Sequence, residues 1–215
     1  MLLDNYLKSK NIIYSRDYEG YSQQCELQVM LLKHLVSKPT IKRVLEIGFN
    51  AGHSSEIFLS TNPNVDVTSF DIGRVNAVSV AKEYMDLTYP GRHTLILGDS
   101  TQTIKEYKNA NPEATFDLIF IDGGHTYGVA KSDIVRCSGL AHENTIVIVD
   151  DIAFRPGFER GWTTGPSKCW QEGVQHGEIQ ELGTILSIPG KGMAYGKYLK
   201  SWHMERFRPM PKYLS

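Results

Sequence analysis

The chain has 215 residues, 41% of them hydrophobic and 22% charged, with 23 Lys plus Arg against 24 Asp plus Glu. This is the composition of one globular domain able to bury a core. A net charge of -1 argues against a polybasic nucleic-acid binder and against an acidic disordered tail. Cys25, Cys137 and Cys169 form no Cys-x-x-Cys pair, so a thiolate zinc site, a redox dithiol and a disulfide framework are not expected. The segment from Met1 to Lys8 lacks the basic and long apolar regions of a signal peptide, and the apolar runs are of strand length. A cytoplasmic protein with no membrane span is the expectation.

The N-terminal 40 residues contain a helix over 23–36, with Leu27, Met30, Leu31, His34 and Leu35 at helical spacing and Pro39 as its stop. His34 then reads as a packed core residue. From Arg43 onward, short apolar runs alternate with amphipathic stretches. Strands are predicted over 44–47, 65–70, 93–97, 116–121 and 145–149. The helices between them cover 54–60, a stretch with Val75, Val78, Ala81, Tyr84 and Met85 on one face, 100–107 with Ser100 as N-cap, and 127–140. Val- and Ile-rich strands separated by helices form right-handed βαβ units around a parallel sheet. Residues 154–166 read as a long substrate-facing loop carrying Phe154, Arg155 and Trp162. A helix over 167–176, with Trp170, follows it. Apolar runs at 179–188 and 193–199, joined by Pro189-Gly190-Lys191-Gly192, predict a hairpin and an antiparallel end to the sheet. The division is a helical cap over 1–40, a main domain over 41–200 and a tail over 201–215. Basic and aromatic residues interleave in that tail (Trp202, His203, Arg206, Phe207 and Arg208), which reads as a packing or subunit contact rather than a nucleic-acid site.

Glu46-x-Gly48-x-x-x-Gly52 lies between the first strand and its helix, where glycines let a backbone approach a ligand closely. It is neither Gly-x-Gly-x-x-Gly nor a P-loop, which lowers an NAD(P)-dependent oxidoreductase reading. His53 and Ser54 open the helix that follows, where His53 serves as a cofactor contact or as a helix cap. Asp71 ends the second strand, 23 residues beyond Gly48, a placement suited to ribose hydroxyls. Gly98-Asp99-Ser100 ends the third strand, where an acid can meet an adenine amino group. Asp122 ends the fourth strand, and Asp150 and Asp151 end the fifth. Three such carboxylates suit Mg²⁺ or another divalent cation, or else Asp122 holds a cofactor while Asp150 and Asp151 cap a loop. His125 follows Asp122 by three residues in a glycine turn, and an imidazole there suits proton abstraction at neutral pH.

The run Leu45-Glu46-Ile47-Gly48-Phe49-Asn50-Ala51-Gly52-His53-Ser54, with Asp71 and Gly98-Asp99-Ser100, resembles the class I S-adenosylmethionine-dependent methyltransferases. The resemblance runs from about Arg43 to Leu199. It implies a Rossmann-like α/β fold, a doubly wound, mostly parallel seven-stranded sheet with an antiparallel C-terminal hairpin strand. It implies a cofactor site of Glu46, Gly48, Gly52, His53, Ser54, Asp71, Asp99, Ser100 and Asp122. Asp122-Gly123-Gly124-His125-Thr126-Tyr127 further resembles small-molecule O-methyltransferases of the metal-dependent macrolide-sugar and catechol types. That likeness implies Asp122, Asp150 and Asp151 as metal ligands and His125, with Asp122, as the catalytic residues. The sequence departs from those types where it has Asp150 in place of their Glu and Asp151 in place of their Asn. The expected activity is O-methylation of a small hydroxylated acceptor by a chain that can self-associate. A cofactor-binding scaffold and an RNA or protein methyltransferase are the alternatives.

Overall fold

The computed structural model describes residues 2–18, 20, 25–153, 160–188 and 191–199. Helices α1 (Leu3–Ser9) and α2 (Glu26–Val36) precede an alternation of strands and helices. These are β1 (Arg43–Ile47), α3 (His53–Thr61), β2 (Asp66–Asp71), α4 (Asn76–Thr88), β3 (His93–Leu97), α5 (Ser100–Ala110), β4 (Phe116–Ile121), α6 (Tyr127–Ser138) and β5 (Ala141–Ala153). The chain closes with α7 (Gly161–Gln175), β6 (Ile179–Ile188) and β7 (Lys191–Tyr198). The seven strands lie in the order β3-β2-β1-β4-β5-β7-β6. The pairs among β1 to β5 are parallel, and β7 runs antiparallel to both β5 and β6. The predicted fold, including its antiparallel hairpin, is therefore the one observed. Among the described residues, no helix is long and apolar enough to cross a membrane.

Alternation along the strands divides the core in two. Val44, Leu118, Phe120 and Ile148 join one cluster with α1, α2, α3 and α4, which supply Leu7, Leu32, Phe58 and Met85. Leu45, Ile119, Ile121 and Val147 join the other with α5, α6 and α7, which supply Ile104, Ile134 and Trp170. The N-terminal helices are thus built into the same core as the sheet. Register brings the strand ends level: Ile47 stands beside both Phe70 and Ile121, and Ile121 beside Val149. Strand order reverses between β1 and β4, the place where parallel sheets open a crevice at their carboxyl edge.

Three sequence expectations change. The buried stripe of α2 is Gln28, Leu31, Leu32, Leu35 and Val36, while His34 is exposed and Leu27 and Met30 are 52% and 59% exposed. The apolar residues are numerous enough to draw two stripes, and packing selects the one that carries Gln28. The stretch 161–166 is helix rather than loop, and Pro166 sits inside α7. Gly165 explains the local sequence, because a Cβ there would stand 2.2 Å from the carbonyl oxygen of His125. The glycine lets α7 press against the turn at 125–127. β5 is also longer than predicted, beginning at Ala141 and continuing through Asp150 and Asp151. Phe154, Arg155, Pro189, Gly190 and the 201–215 tail lie outside the described residues.

Arg92 closes the carboxyl end of α3. Its Nη2 donates to the carbonyls of Asn62 (2.6 Å), Val65 (3.0 Å) and Leu59 (3.2 Å), and its Nε donates to Val65 (3.1 Å). Leu59 is in the last turn of α3, where carbonyls lack helical partners, and Asn62 and Val65 lie in the connection to β2, so the guanidinium ties the helix end to that turn. Arg92→Met keeps the aliphatic stem and removes the donors, so it should cost about 2 kcal/mol. The check is a lowered urea midpoint at unchanged denaturant slope, and an unmoved midpoint contradicts this role.

Candidate active site

The carboxyl edge is drawn together by backbone before any side chain acts. The parallel ladder continues one step past the strands: Gly48 N donates to Phe70 O, Asp122 N to Ile47 O and Gly98 N to Asp71 O, each at 2.8 Å. Gly48 has φ +93°, and a Cβ on it would stand 2.0 Å from the carbonyl oxygen of Asp122. Only glycine allows the β1 loop to cross β4 so closely. The loop then turns through Asn50 at φ 49°, a left-handed conformation that asparagine tolerates. Asp71 clamps it, with Oδ2 accepting from Phe49 N (3.0 Å) and Asn50 N (2.8 Å) and Oδ1 accepting from Gly73 N (2.7 Å).

These ends surround a cleft of about 640 Å³. Of the site residues predicted from sequence, Gly48, His53, Ser54, Asp71, Asp99, Ser100, Asp122, His125, Asp150 and Asp151 line it. Glu46 and Gly52 do not. Gly52 is a packing position, where a Cβ would lie 2.9 Å from the Met85 methyl. Glu46 is fully buried, accepting from the hydroxyls of Ser54, Ser55 and Ser69. Its side chain joins β1 to the first turn of α3 and to β2, outside the cleft lining. Ser100 is not the cap of α5. Asp99 is, taking Thr101 Oγ1–H at 2.7 Å and Thr101 N–H at 2.9 Å, and these bonds hold its carboxyl below the usual range. His53 lies 2.9 Å from Asp4 Oδ1 and packs beside Tyr18, so it also ties the N-terminal segment to the cleft.

Three titratable groups lie beneath this surface. Burial pushes the Glu46 carboxyl up to about 7, against the pull of its three hydroxyl partners. Burial also pushes His93, 3.0 Å from Ser69 Oγ, down to about 4. Asp133 on α6 is wholly buried behind Gly123, and burial raises it to about 7. Sequence reading missed Asp133, because its setting depends on how α6 packs against the cleft floor.

At one end of the cleft, ligand atoms of Asp122, His125 and Asp151 lie within 4.8 Å of one another. His125 Nε2 stands 2.7 Å from Asp151 Oδ2. Two carboxylates and an imidazole are a donor set that fits a divalent cation. The expected set differs by one member. Asp150 stands outside the cluster, its Oδ1 accepting from Gln28 Nε2 (3.0 Å) and Asp151 N (2.7 Å). β5 bulges between Val149 and Ile152, and Asp151 adopts φ 62°, which separates the aims of the two neighbouring acids. Gln28 was missed because the stripe read from sequence, through Leu27, Met30, Leu31, His34 and Leu35, leaves position 28 out of the core face. Gly165, which admits α7 to the His125 turn, was visible only as a glycine in a presumed loop.

Gly48→Ala should cost about 3 kcal/mol or more, since it combines a left-handed strain with a backbone clash. A loss below about 1 kcal/mol in urea denaturation would contradict the close crossing. Glu46 and Asp133 hold protons more tightly when folded, at about 7, than at their ordinary values of 4.5 and 3.8. Their contribution to stability is present in acid and is lost as pH rises through about 7. His93 acts in the opposite sense, its contribution being lost as pH falls from 6.5 toward about 4. Glu46→Gln should therefore gain stability relative to the parent between about pH 5 and about pH 8, and a pH-independent difference would contradict this.

Comparison with known proteins places this geometry. Residues 45–152 match the family described as a methyltransferase domain. The O-methyltransferase ankF of Aspergillus thermomutatus is 31% identical over 135 residues, covering 61% of this chain and 54% of that protein. The chain thus spans about half the length of that relative. The fold is shared with the O-methyltransferase of Bacillus cereus in complex with SAH (TM-score 0.68, 14% identity, 90% of this chain and 89% of that one). It is shared also with TomG of Streptomyces achromogenes, involved in tomaymycin synthesis and solved with SAM (TM-score 0.67, 16% identity, 91% and 87% covered). The match across β1 to β5 takes in the strand ends that build the cleft, and the chain belongs to the methyltransferase-domain family.

Proposed function

We propose that the protein is an S-adenosylmethionine-dependent O-methyltransferase acting on a hydroxyl of a small molecule, assisted by a divalent cation. The observation that carries this reading is the cleft itself. Asp71 and Asp99 stand at the ends of β2 and β3, and the Asp122–His125–Asp151 cluster draws on the loop after β4 and the last turn of chain within β5. A volume of about 640 Å³ suits a small-molecule ligand site. The named O-methyltransferases that resemble the chain in sequence or fold support the same chemistry.

The chain's own groups divide the work. Asp71 uses three acceptor positions on the 49–50 loop and Gly73, leaving a fourth for a ribose hydroxyl. Asp99 is exposed at the neighbouring strand end, with Ser100 beside it, where both can meet the purine. The N-terminal cap contributes Gly20, Cys25 and Gln28 to the cleft lining and is the natural acceptor side. When bound, the cofactor would supply an electrophilic methyl group, and a divalent cation held by the Asp122 and Asp151 carboxylates would lower the pKa of the acceptor hydroxyl, leaving His125 as the base. Asp151 orients the His125 ring, and the imidazole accepts a proton at the nitrogen left free.

The 2.7 Å contact between His125 and Asp151 also favours a second reading, a carboxylate-oriented base that acts without metal. Transfer of labelled methyl to a panel of phenols, catechols and nucleotide sugars separates the readings. His125→Ala should lower turnover by about 10²- to 10⁴-fold, and unchanged turnover removes the residue from the mechanism. Activity should vanish in excess EDTA and return with Mg²⁺. Full activity in EDTA contradicts the metal role and selects the second reading. No transfer to any hydroxyl by a protein that binds the cofactor would favour a scaffold.

A further inference from the structure

We propose that Gln28 is a positioning residue that fixes the Asp151–His125 pair from the N-terminal helix, acting through Asp150. The inference rests on the functional reading above, which gives that pair its importance. Gln28 is 5% exposed in a stripe of α2 that is otherwise Leu31, Leu32, Leu35 and Val36. A buried amide among leucines is costly unless it is hydrogen-bonded. Here the cost is met across 122 residues of sequence, by donation from Nε2 to Asp150 Oδ1 at 3.0 Å.

The same oxygen of Asp150 accepts the backbone N–H of Asp151 at 2.7 Å. Asp151 is the residue with φ 62°, at the bulge of β5. In a regular strand, side chains at 150 and 151 would point to opposite faces of the sheet. The left-handed turn breaks that alternation and leaves Asp151 Oδ2 2.7 Å from His125 Nε2. A non-glycine residue in that conformation persists only where its surroundings hold it. The holding group is the Asp150 carboxylate, and Gln28 fixes that carboxylate. A neutral amide suits this task because it donates a hydrogen bond without adding charge beside Asp122, Asp150 and Asp151. α2 and the proton-handling pair then move as one unit, so the cap that borders the acceptor side also sets the aim of His125.

The test uses the full chain, ¹⁵N-labelled at histidine and freed of metal with chelator. Long-range ¹H–¹⁵N spectra report the ring nitrogens, and His125→Gln identifies the His125 signals by their loss. The parent should show His125 in one tautomer. Gln28→Met keeps the length and apolar packing of the side chain but removes the donor. It should move His125 to the averaged pattern of a free imidazole and leave the other six histidines unmoved. Asp150→Ala removes the same strut from its other end and should give the same change, which keeps the test open if Gln28→Met does not fold. An unchanged His125 spectrum in either folded variant overturns the proposal. So does a disturbance spread over all the histidines, which would mark Gln28 as ordinary packing. Failure of the parent to bind S-adenosylhomocysteine would count against the functional reading alone, because the spectral comparison does not depend on it.

Discussion

Everything at the carboxyl edge depends on how closely the loop after β1 passes over the residue that follows β4. The carbonyl of Asp122 occupies the space where any side chain at position 48 would begin. That crossing lies at the reversal of strand order, where helices leave to opposite faces and a crevice opens. Because the backbones touch there, the loop after β1 must turn immediately. It is then close enough for Asp71 to take its N–H groups. The cleft follows from this contact, and a single methyl group at Gly48 would displace it.

The acids at this edge serve different ends. Asp71 and Asp99 spend much of their hydrogen-bonding capacity on backbone, so they shape the loops that carry them. Glu46 has withdrawn from the surface into a nest of serine hydroxyls, where burial pushes it up to about 7. Asp150 is a strut between α2 and the backbone of its neighbour. Asp122 and Asp151 remain to form, with His125, a cluster whose carboxylates and imidazole converge. An overall charge of -1 therefore conceals an edge in which each carboxylate is set to its task by the groups around it.

The sheet was legible because its signals are local and repeated. Val- and Ile-rich runs ending in Asp71, Asp122 or Asp150 predict parallel strands whose ends meet, and register delivers that. The glycine-rich hairpin region likewise predicts the antiparallel strands. What the sequence obscured came from contacts between distant segments. Leu27 and Met30 have the spacing of a buried stripe, but packing turns α2 by one residue so that Gln28 can reach Asp150. Gly165 and Pro166 look like loop residues, yet they sit in a helix pressed on the His125 turn. Glu46 has the spacing of a ligand contact, and its alternation along β1 directs it to the serines of α3 and β2. Pairing across the sheet can be read from periodicity, whereas these choices depend on which partner lies across a gap.

The central claim is that the cleft binds S-adenosylmethionine and its product. Calorimetric titration of the full chain with S-adenosylhomocysteine, set beside the same titration with NADH, tests it most directly. The account predicts saturable binding of one S-adenosylhomocysteine per chain and no heat of binding from NADH. Binding of NADH in place of S-adenosylhomocysteine, or of neither, would contradict it.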